Sequence, residues 1–246
     1  MRISRIHCPQ PLSARTIVAL EGDAAHYVGT VLRMRAGQQL SLFNAENGEF
    51  SAVILNADRK GVTVQLADAV ASAADPLLPI HLGLGISRGE RMDYAIQKAT
   101  EAGVTSITPL LTERCEVKIK GDRVDNRLKH WERIAISACE QSGRCRIPIV
   151  SAPIELPAWV QQERTGASFV LDHRGSAGFP QQSPPESVTV LIGPEGGLSE
   201  DEINTALATG FQSVRLGPRV LRTETAPVVA IAVLQQLWGD YSSRQA

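Results

Sequence analysis

Short apolar runs that alternate with polar residues dominate the N-terminal part of the chain. The runs 15–20, 39–44, 49–56 and 62–66 are rich in β-branched residues. Asn47–Gly48 and Lys60–Gly61 punctuate them as turns. Several short strands at near-regular spacing predict a small barrel or sandwich. The stretch 71–79 (ASAADPLLP) is small, polar and Pro-bearing, as suits a linker.

Beyond it the rhythm becomes strand, helix, strand. Residues 80–86 read as a strand, and Ser87-x-x-Glu90 as a capping box that opens a helix. Met92, Ala95, Ile96 and Ala99 mark that helix's apolar face, and Gly103 its end. A strand is predicted over 105–111. A long helix over 122–142 carries Val124, Leu128, Trp131, Ala135 and Ala138 on one stripe and stops at Gly143. Further strands are expected at 168–172, 188–192 and 213–216. Ser199 and Glu202 form a second capping box, with Leu198 and Ile203 placed as a hydrophobic staple. The run 226–237 is apolar nearly all round and so is expected to be buried on every side. The alternation predicts an α/β domain from about 75 to 246, with a mostly parallel sheet and its ligand site at the carboxyl ends of the strands.

Composition narrows this only slightly. The chain has 246 residues, 43% hydrophobic and 21% charged, enough for an ordinary packed core. No apolar run reaches membrane-spanning length, and MRISRIHCPQPL lacks the apolar stretch of a signal peptide, so a cytoplasmic location is expected. Cys8, Cys115, Cys139 and Cys145 are scattered without C-x-x-C spacing, which predicts reduced thiols and no zinc or other metal. The net charge of −1 does not mark a nucleic-acid binder. Its distribution is uneven: 12 Lys/Arg against 9 Asp/Glu over 83–147, then 6 against 10 over 148–246.

Two loops concentrate the chemistry. The first, 191–198 (LIGPEGGL), joins a buried-type strand to the well-capped helix, and its glycines let the backbone approach a ligand closely. A tight β–α turn with no ligand is the plainer alternative. A phosphate site is a further option at a helix N-terminus. The loop is neither a P-loop nor G-x-G-x-x-G, and Glu195 with Glu200, Asp201 and Glu202 argues against an anion. The second loop, 216–227 (LGPRVLRTETAP), also enters a helix, with Thr225 as the expected N-cap and Pro227 in the first turn. Arg219, Arg222 and Glu224 crowd charge beside an apolar helix; a solvated turn with self-paired charges is the plainer alternative.

With GPEGGLSEDEI and LGPRVLRTETAPVVAIAVLQ in view, the chain resembles the SPOUT methyltransferases, and most closely the RsmE family of 16S rRNA (uracil-N3) methyltransferases. RMDYAIQKATEAGVTSITPLLTERCEVK, RIAISACEQSGRCRIP and HYVGTVLRMRAGQQLSLFN extend the resemblance over most of the chain. It implies a PUA-like β-barrel over 1–72 for RNA recognition. A SPOUT-type α/β domain with a C-terminal trefoil knot would follow over 75–246, and the protein would be a homodimer. It also implies S-adenosylmethionine as cofactor, held by Leu171, Ile192, Gly193, Gly197, Leu216, Gly217, Leu221, Thr223 and Ala226. Arg222 and Glu224 are the expected catalytic pair. Arg33, Arg35, Arg114, Lys118, Arg144 and Arg146 are candidate contacts to 16S rRNA or the small ribosomal subunit. Tyr27, beside the first two, could stack on a base. A SPOUT enzyme acting on a tRNA base or a ribose 2′-hydroxyl is the alternative that the loops alone would also allow. A third is a non-catalytic RNA-binding protein.

Overall fold

The computed structural model describes residues 3–58, 61–71, 76–117, 121 and 123–241. The chain divides into two units, one of residues 1–75 with 139–147, the other of 76–138 with 148–246.

In the first unit the alternating runs become strands: β1 (Ser4–His7), β2 (Ile17–Leu20), β3 (Gln39–Asn44), β4 (Gly48–Asp58) and β5 (Gly61–Val70). They form one sheet in the order β1-β3-β4-β5-β2, and only the β1–β3 pairing is parallel. Two bulges interrupt the β4–β5 pairing, one in β5 opposite Phe50–Ala52 and one in β4 between Ile54 and Asn56. Leu40, Leu42, Ala52, Ile54, Val62, Val64 and Leu66 converge on one core. Between β2 and β3 the chain is helical: α1 (Gly22–His26) continues into a π-turn over Tyr27–Val31. Val28 enters the core, and the half-buried Tyr27 packs against it.

Arg5 binds the 139–147 segment into this unit. Its Nε and Nη2 donate to Glu49 Oε2 at 3.0 and 2.9 Å. Its Nη1 donates to the carbonyls of Cys139 (2.6 Å) and Glu140 (3.2 Å), and Nη2 to that of Arg144 (3.3 Å). Cys139 and Glu140 lie in the last turn of helix α3 (Arg123–Ser142), so the guanidinium sits where unsatisfied helix carbonyls attract a cation.

The second unit is built on seven parallel strands: β6 (Ile80–Gly85), β7 (Ser106–Leu111), β8 (Ile149–Val150), β9 (Ile154–Glu155), β10 (Ala167–Leu171), β11 (Val188–Ile192) and β12 (Gln212–Val214). Their order is β12-β10-β11-β6-β7-β8, with β9 also on β7. Every β11 residue is buried, as a central parallel strand requires. The helices are α2 (Glu90–Glu101), α3, α4 (Leu156–Val160), α5 (Glu200–Ala208) and α6 (Thr225–Trp238).

Ser199 completes its capping box: its hydroxyl accepts from Glu202 N (3.3 Å), and Glu202 Oε2 accepts from Ser199 N (2.8 Å). Leu198 and Ile203 are both buried in the core beneath it. Three expectations fail. Ser87 does not cap α2. Gly89, with φ 54°, occupies the cap position, and the Ser87 hydroxyl turns to Gly85 O and Thr223 Oγ1. Thr225 is the first helical residue of α6 and Glu224 precedes it, without a side-chain cap. Nor is α6 buried all round: Ala226, Ala230, Ile231 and Leu234 are, but Val228, Val229, Ala232 and Val233 are half-exposed. Among the described residues no helix is long and apolar enough to cross a membrane.

Candidate functional site

At the carboxyl ends of β10, β11 and β12 the second unit encloses a cavity of about 660 Å³. That size falls within the roughly 300–1,000 Å³ of small-molecule sites. Its walls are the loops after those three strands. Leu171, Ile192, Leu198, Leu216 and Leu221 give it an apolar floor.

The two loops singled out in the sequence meet here. A Cβ on Gly193 would lie 2.9 Å from Gly197 C and Leu198 N, so glycine lets the first loop close on itself. Thr223 ties the second loop to the first: its hydroxyl donates to Gly193 O at 3.0 Å and lies 3.2 Å from Ser87 Oγ. The β6–α2 segment is fastened to the first loop as well. Glu195 Oε1 accepts from Arg88 N (2.9 Å) and Arg91 Nη1 (3.1 Å). Burial alone would push the Glu195 carboxyl up. The hydrogen bonds from Arg88, its own N–H, Arg91 and Ser87 outweigh that and hold it below the ordinary value.

Of the expected cofactor-binding residues, Leu171, Ile192, Gly193, Gly197, Leu216, Leu221, Thr223 and Ala226 line the cavity. Gly217 is not among the lining residues; its φ of 75° turns the chain just after Leu216. Arg222 and Glu224 also line it, with Arg222 Nη1 4.0 Å from Glu224 Oε1. The Arg222 side chain is 80% exposed and that of Glu224 18%. Glu224 Oε2 is buried without a hydrogen-bond partner among the described residues.

Three of the four acids weighed against an anion have partners within the protein. Glu202 is turned inward to its capping box and to Glu113 N (2.8 Å), Glu200 pairs with Arg174, and Glu195 is held by Arg91. What lines the cavity is cationic: Arg91, Arg114, Arg174, Arg215, Arg219 and Arg222 against Asp172, Glu195 and Glu224. Sequence reasoning missed Arg91, Arg174 and Asp172 as lining groups. Asp172–His173–Arg174, at the end of a predicted strand and just beyond it, was the available signal.

The expected RNA contacts separate. Arg114 is at the cavity, its Nη1 donating to Gly196 O at 3.1 Å. Arg33, at φ 50°, Arg35 and Arg146 are exposed in the first unit. Arg144 is 8% exposed, so it presents little charge at the surface. Lys118 lies outside the described residues. No group of three or more His, Cys, Asp or Glu that could hold a metal occurs among the described residues.

Comparison with known proteins gives two family matches: an RNA methyltransferase domain over residues 74–235 and an RNA methyltransferase PUA domain over 20–67. The chain is 36% identical to ribosomal RNA small subunit methyltransferase E of Buchnera aphidicola (from Acyrthosiphon pisum), over 98% of this chain and 96% of that one. It is 35% identical to the Synechocystis protein of the same name, over 89% and 73%. A Legionella pneumophila methyltransferase solved with bound SAM superimposes with a TM-score of 0.91 at 42% identity, covering 98% of this chain and all of that one. The Neisseria gonorrhoeae ribosomal RNA small subunit methyltransferase E, solved bound to S-adenosyl methionine, gives 0.90 at 34% identity, with coverage of 98% and 100%.

Proposed function

Because the chain belongs to the ribosomal RNA small subunit methyltransferase E family, we propose that it methylates N3 of one uracil in 16S rRNA, using S-adenosylmethionine. The observation that carries this reading is the cavity walled by loops 191–198 and 216–227 and tied by Thr223, in a chain similar over its whole length to those enzymes.

The residues present fit the cofactor. Leu171, Ile192, Leu216 and Leu221 offer apolar surface to a flat heterocycle, and the unpartnered Glu224 Oε2 suits a ligand with a cationic centre. Gly193, Gly197, Gly217, Thr223 and Ala226 would bring backbone close to it. Bound there, S-adenosylmethionine supplies an electrophilic methyl group on a sulfonium.

The protein's own task is placement and charge. Uracil N3 carries a proton at neutral pH, and its lone pair becomes available only as that proton leaves. Negative charge then develops on the flanking carbonyl oxygens. Arg222, exposed at the cavity wall, donates to them, and Glu224 orients Arg222 or accepts the N3 proton. Holding the base in line with the methyl group supplies the rest of the rate.

Residues 1–72 form the PUA-like RNA-recognition domain and 75–246 the SPOUT domain. Arg33, Arg35, Arg114 and Arg146 meet RNA phosphates, and Lys118 belongs with them by sequence. The C-terminal segment is threaded as a trefoil knot. Contacts of α6 with β10 and the segment after it support that: Trp238 Nε1 donates to Gln182 O (3.1 Å), and its ring stacks on Phe169 of β10. Two copies pair through the half-exposed Val228, Val229, Ala232 and Val233 of α6. The enzyme works in the cytoplasm, where small subunits are assembled. Incubating the protein and labelled S-adenosylmethionine with small subunits that lack the modification, then mapping the methylated atom, tests the proposal. Label at N3 of one uracil supports it; label on tRNA, on a ribose, or nowhere overturns it.

A further inference from the structure

A second cavity, of about 520 Å³, opens in the same unit at the opposite, amino ends of the strands. It shares no lining residue with the first. Its floor breaks a rule of the fold. A parallel sheet covered by helices is apolar on both faces, yet one cross-strand row here is polar. Thr189 of β11 is in register with His81 of β6, and His81 with Ser106 of β7. One row further on, the same face is sealed. Trp159 of α4 packs so closely on Gly83 that a Cβ there would lie 2.3 Å from the ring. Helix α4 has only five residues, and the polar row lies beyond the Trp159 contact.

The groups facing this cavity are donors short of acceptors. Arg164 stacks on Trp159 at 4.5 Å, and its Nη atoms donate to the carbonyls of Trp159, Val160 and Gln162. Those three bonds leave two of the five guanidinium N–H groups unused. No carboxylate pairs with Arg164 among the described residues. His81 Nδ1 is 2.8 Å from Ser106 Oγ, and its Nε2 has no partner among the described residues. Burial first, and then the Arg164 charge, hold the His81 ring below the ordinary imidazole value. Glu163, exposed on the rim, is the one carboxylate among the lining residues, and apart from it and Arg164 no titratable side chain lines the cavity around His81. A guanidinium with unused donors, lining the same cavity as a half-buried imidazole and hydroxyl groups, is what an anion would satisfy.

We propose that this cavity binds a phosphate-type oxyanion, with Arg164, His81 and the hydroxyls of Ser106 and Thr189 as its donors. The ligand is either a free anion or a phosphodiester of bound RNA; the donor chemistry is shared.

The test follows the His81 ring by NMR in the full chain. Sulfate is the first probe because it does not titrate near neutrality, with chloride at matched ionic strength as control. Millimolar sulfate or phosphate is expected to shift the His81 signals saturably and to raise the ring's pKa, while chloride does neither. His81→Gln and Arg164→Gln should each weaken sulfate binding about tenfold or more, a loss of at least roughly 1.4 kcal/mol. S-adenosylmethionine affinity, measured alongside, reports that each variant is folded. Signals that stay still, or respond equally to chloride, overturn the proposal. So does a well-folded His81→Gln that binds sulfate as tightly as the parent. A short single-stranded RNA that displaces sulfate from His81 assigns the site to a phosphodiester; failure to displace it assigns a free anion.

Discussion

Thr223 is the smallest change that should open the cofactor site without touching the chemistry. Its hydroxyl donates to Gly193 O at 3.0 Å and lies 3.2 Å from Ser87 Oγ, so one side chain fastens loop 216–227 to both neighbouring loops. Thr223→Val keeps the shape and removes the polar atom, leaving a carbonyl and a hydroxyl without their partner. A neutral hydrogen bond contributes a net ~0.5–1.5 kcal/mol, so the two together are worth about 1–3 kcal/mol. If the tie sets the separation of the walls, most of that loss appears in binding. About 2 kcal/mol corresponds to a Kd for S-adenosylmethionine raised roughly 30-fold. Isothermal titration of the parent, Thr223→Val and Thr223→Ser measures it, with thermal unfolding alongside. The serine variant keeps the donor and should recover most of the affinity. A valine variant that unfolds earlier yet binds the cofactor as tightly as the parent refutes the reasoning, because the tie would then serve stability alone.

Arg222→Ala should bind cofactor normally and lose about 10²–10³-fold in turnover, the usual cost of removing one donor to a developing oxyanion. Full turnover in a methyl-transfer assay would remove Arg222 from the chemistry. Arg5→Met strands Glu49, whose side chain is 10% exposed, and should lower unfolding free energy by about 3–5 kcal/mol in urea titrations. Adding Glu49→Leu should restore much of it, and a double variant no better than the single one would contradict the ion-pair account. Ser199→Ala removes one half of the capping box and should cost about 1 kcal/mol, or roughly 2–4 °C in Tm. The depressed Glu195 carboxyl gives a pH prediction. Its contribution is present above the unfolded value of 4.5 and is lost only as pH falls through the lower folded value. Cofactor affinity should therefore hold from neutrality down through pH 4.5; a decline centred at or above 4.5 would show that the carboxylate is not held as described.

The parts legible in the sequence were those fixed by short-range patterns. The Ser199–Glu202 box, the buried run of β11 and the stripe on α3 each specify their structure within a few residues. What stayed hidden depends on distant partners. Strand β1 is four residues long and pairs with β3, some thirty-six positions on, as Ser4 with Leu40 shows. The π-turn over Tyr27–Val31 has no periodic signature of its own. Residues 139–147 join the first unit because Arg5 reaches their carbonyls, and no local pattern announces a contact across 134 positions. The same holds at the site. Both loops declared themselves through glycine and proline, but the charge of the cavity did not. Arg91, Arg114 and Arg174 come from three other segments, and the acids that dominate the local sequence are consumed by internal partners.

That redistribution bears on the two roles open to Glu224. At 4.0 Å its contact with Arg222 is too long for a hydrogen bond, and the arginine is 80% exposed, so the pair contributes little by itself. The carboxylate does not cap α6, and its second oxygen is buried with no partner among the described residues. A carboxylate oxygen withdrawn from water and left unpaired is costly. A glutamate whose purpose was only to steady Arg222 would be held within hydrogen-bonding distance of it. Glu224 instead sits at the cavity wall with acceptor capacity unused, the condition expected of a group whose partner arrives with the ligand. A cationic centre of the cofactor and the departing N3 proton are both such partners, and catalytic hydrogen bonds commonly tighten only once substrate is bound.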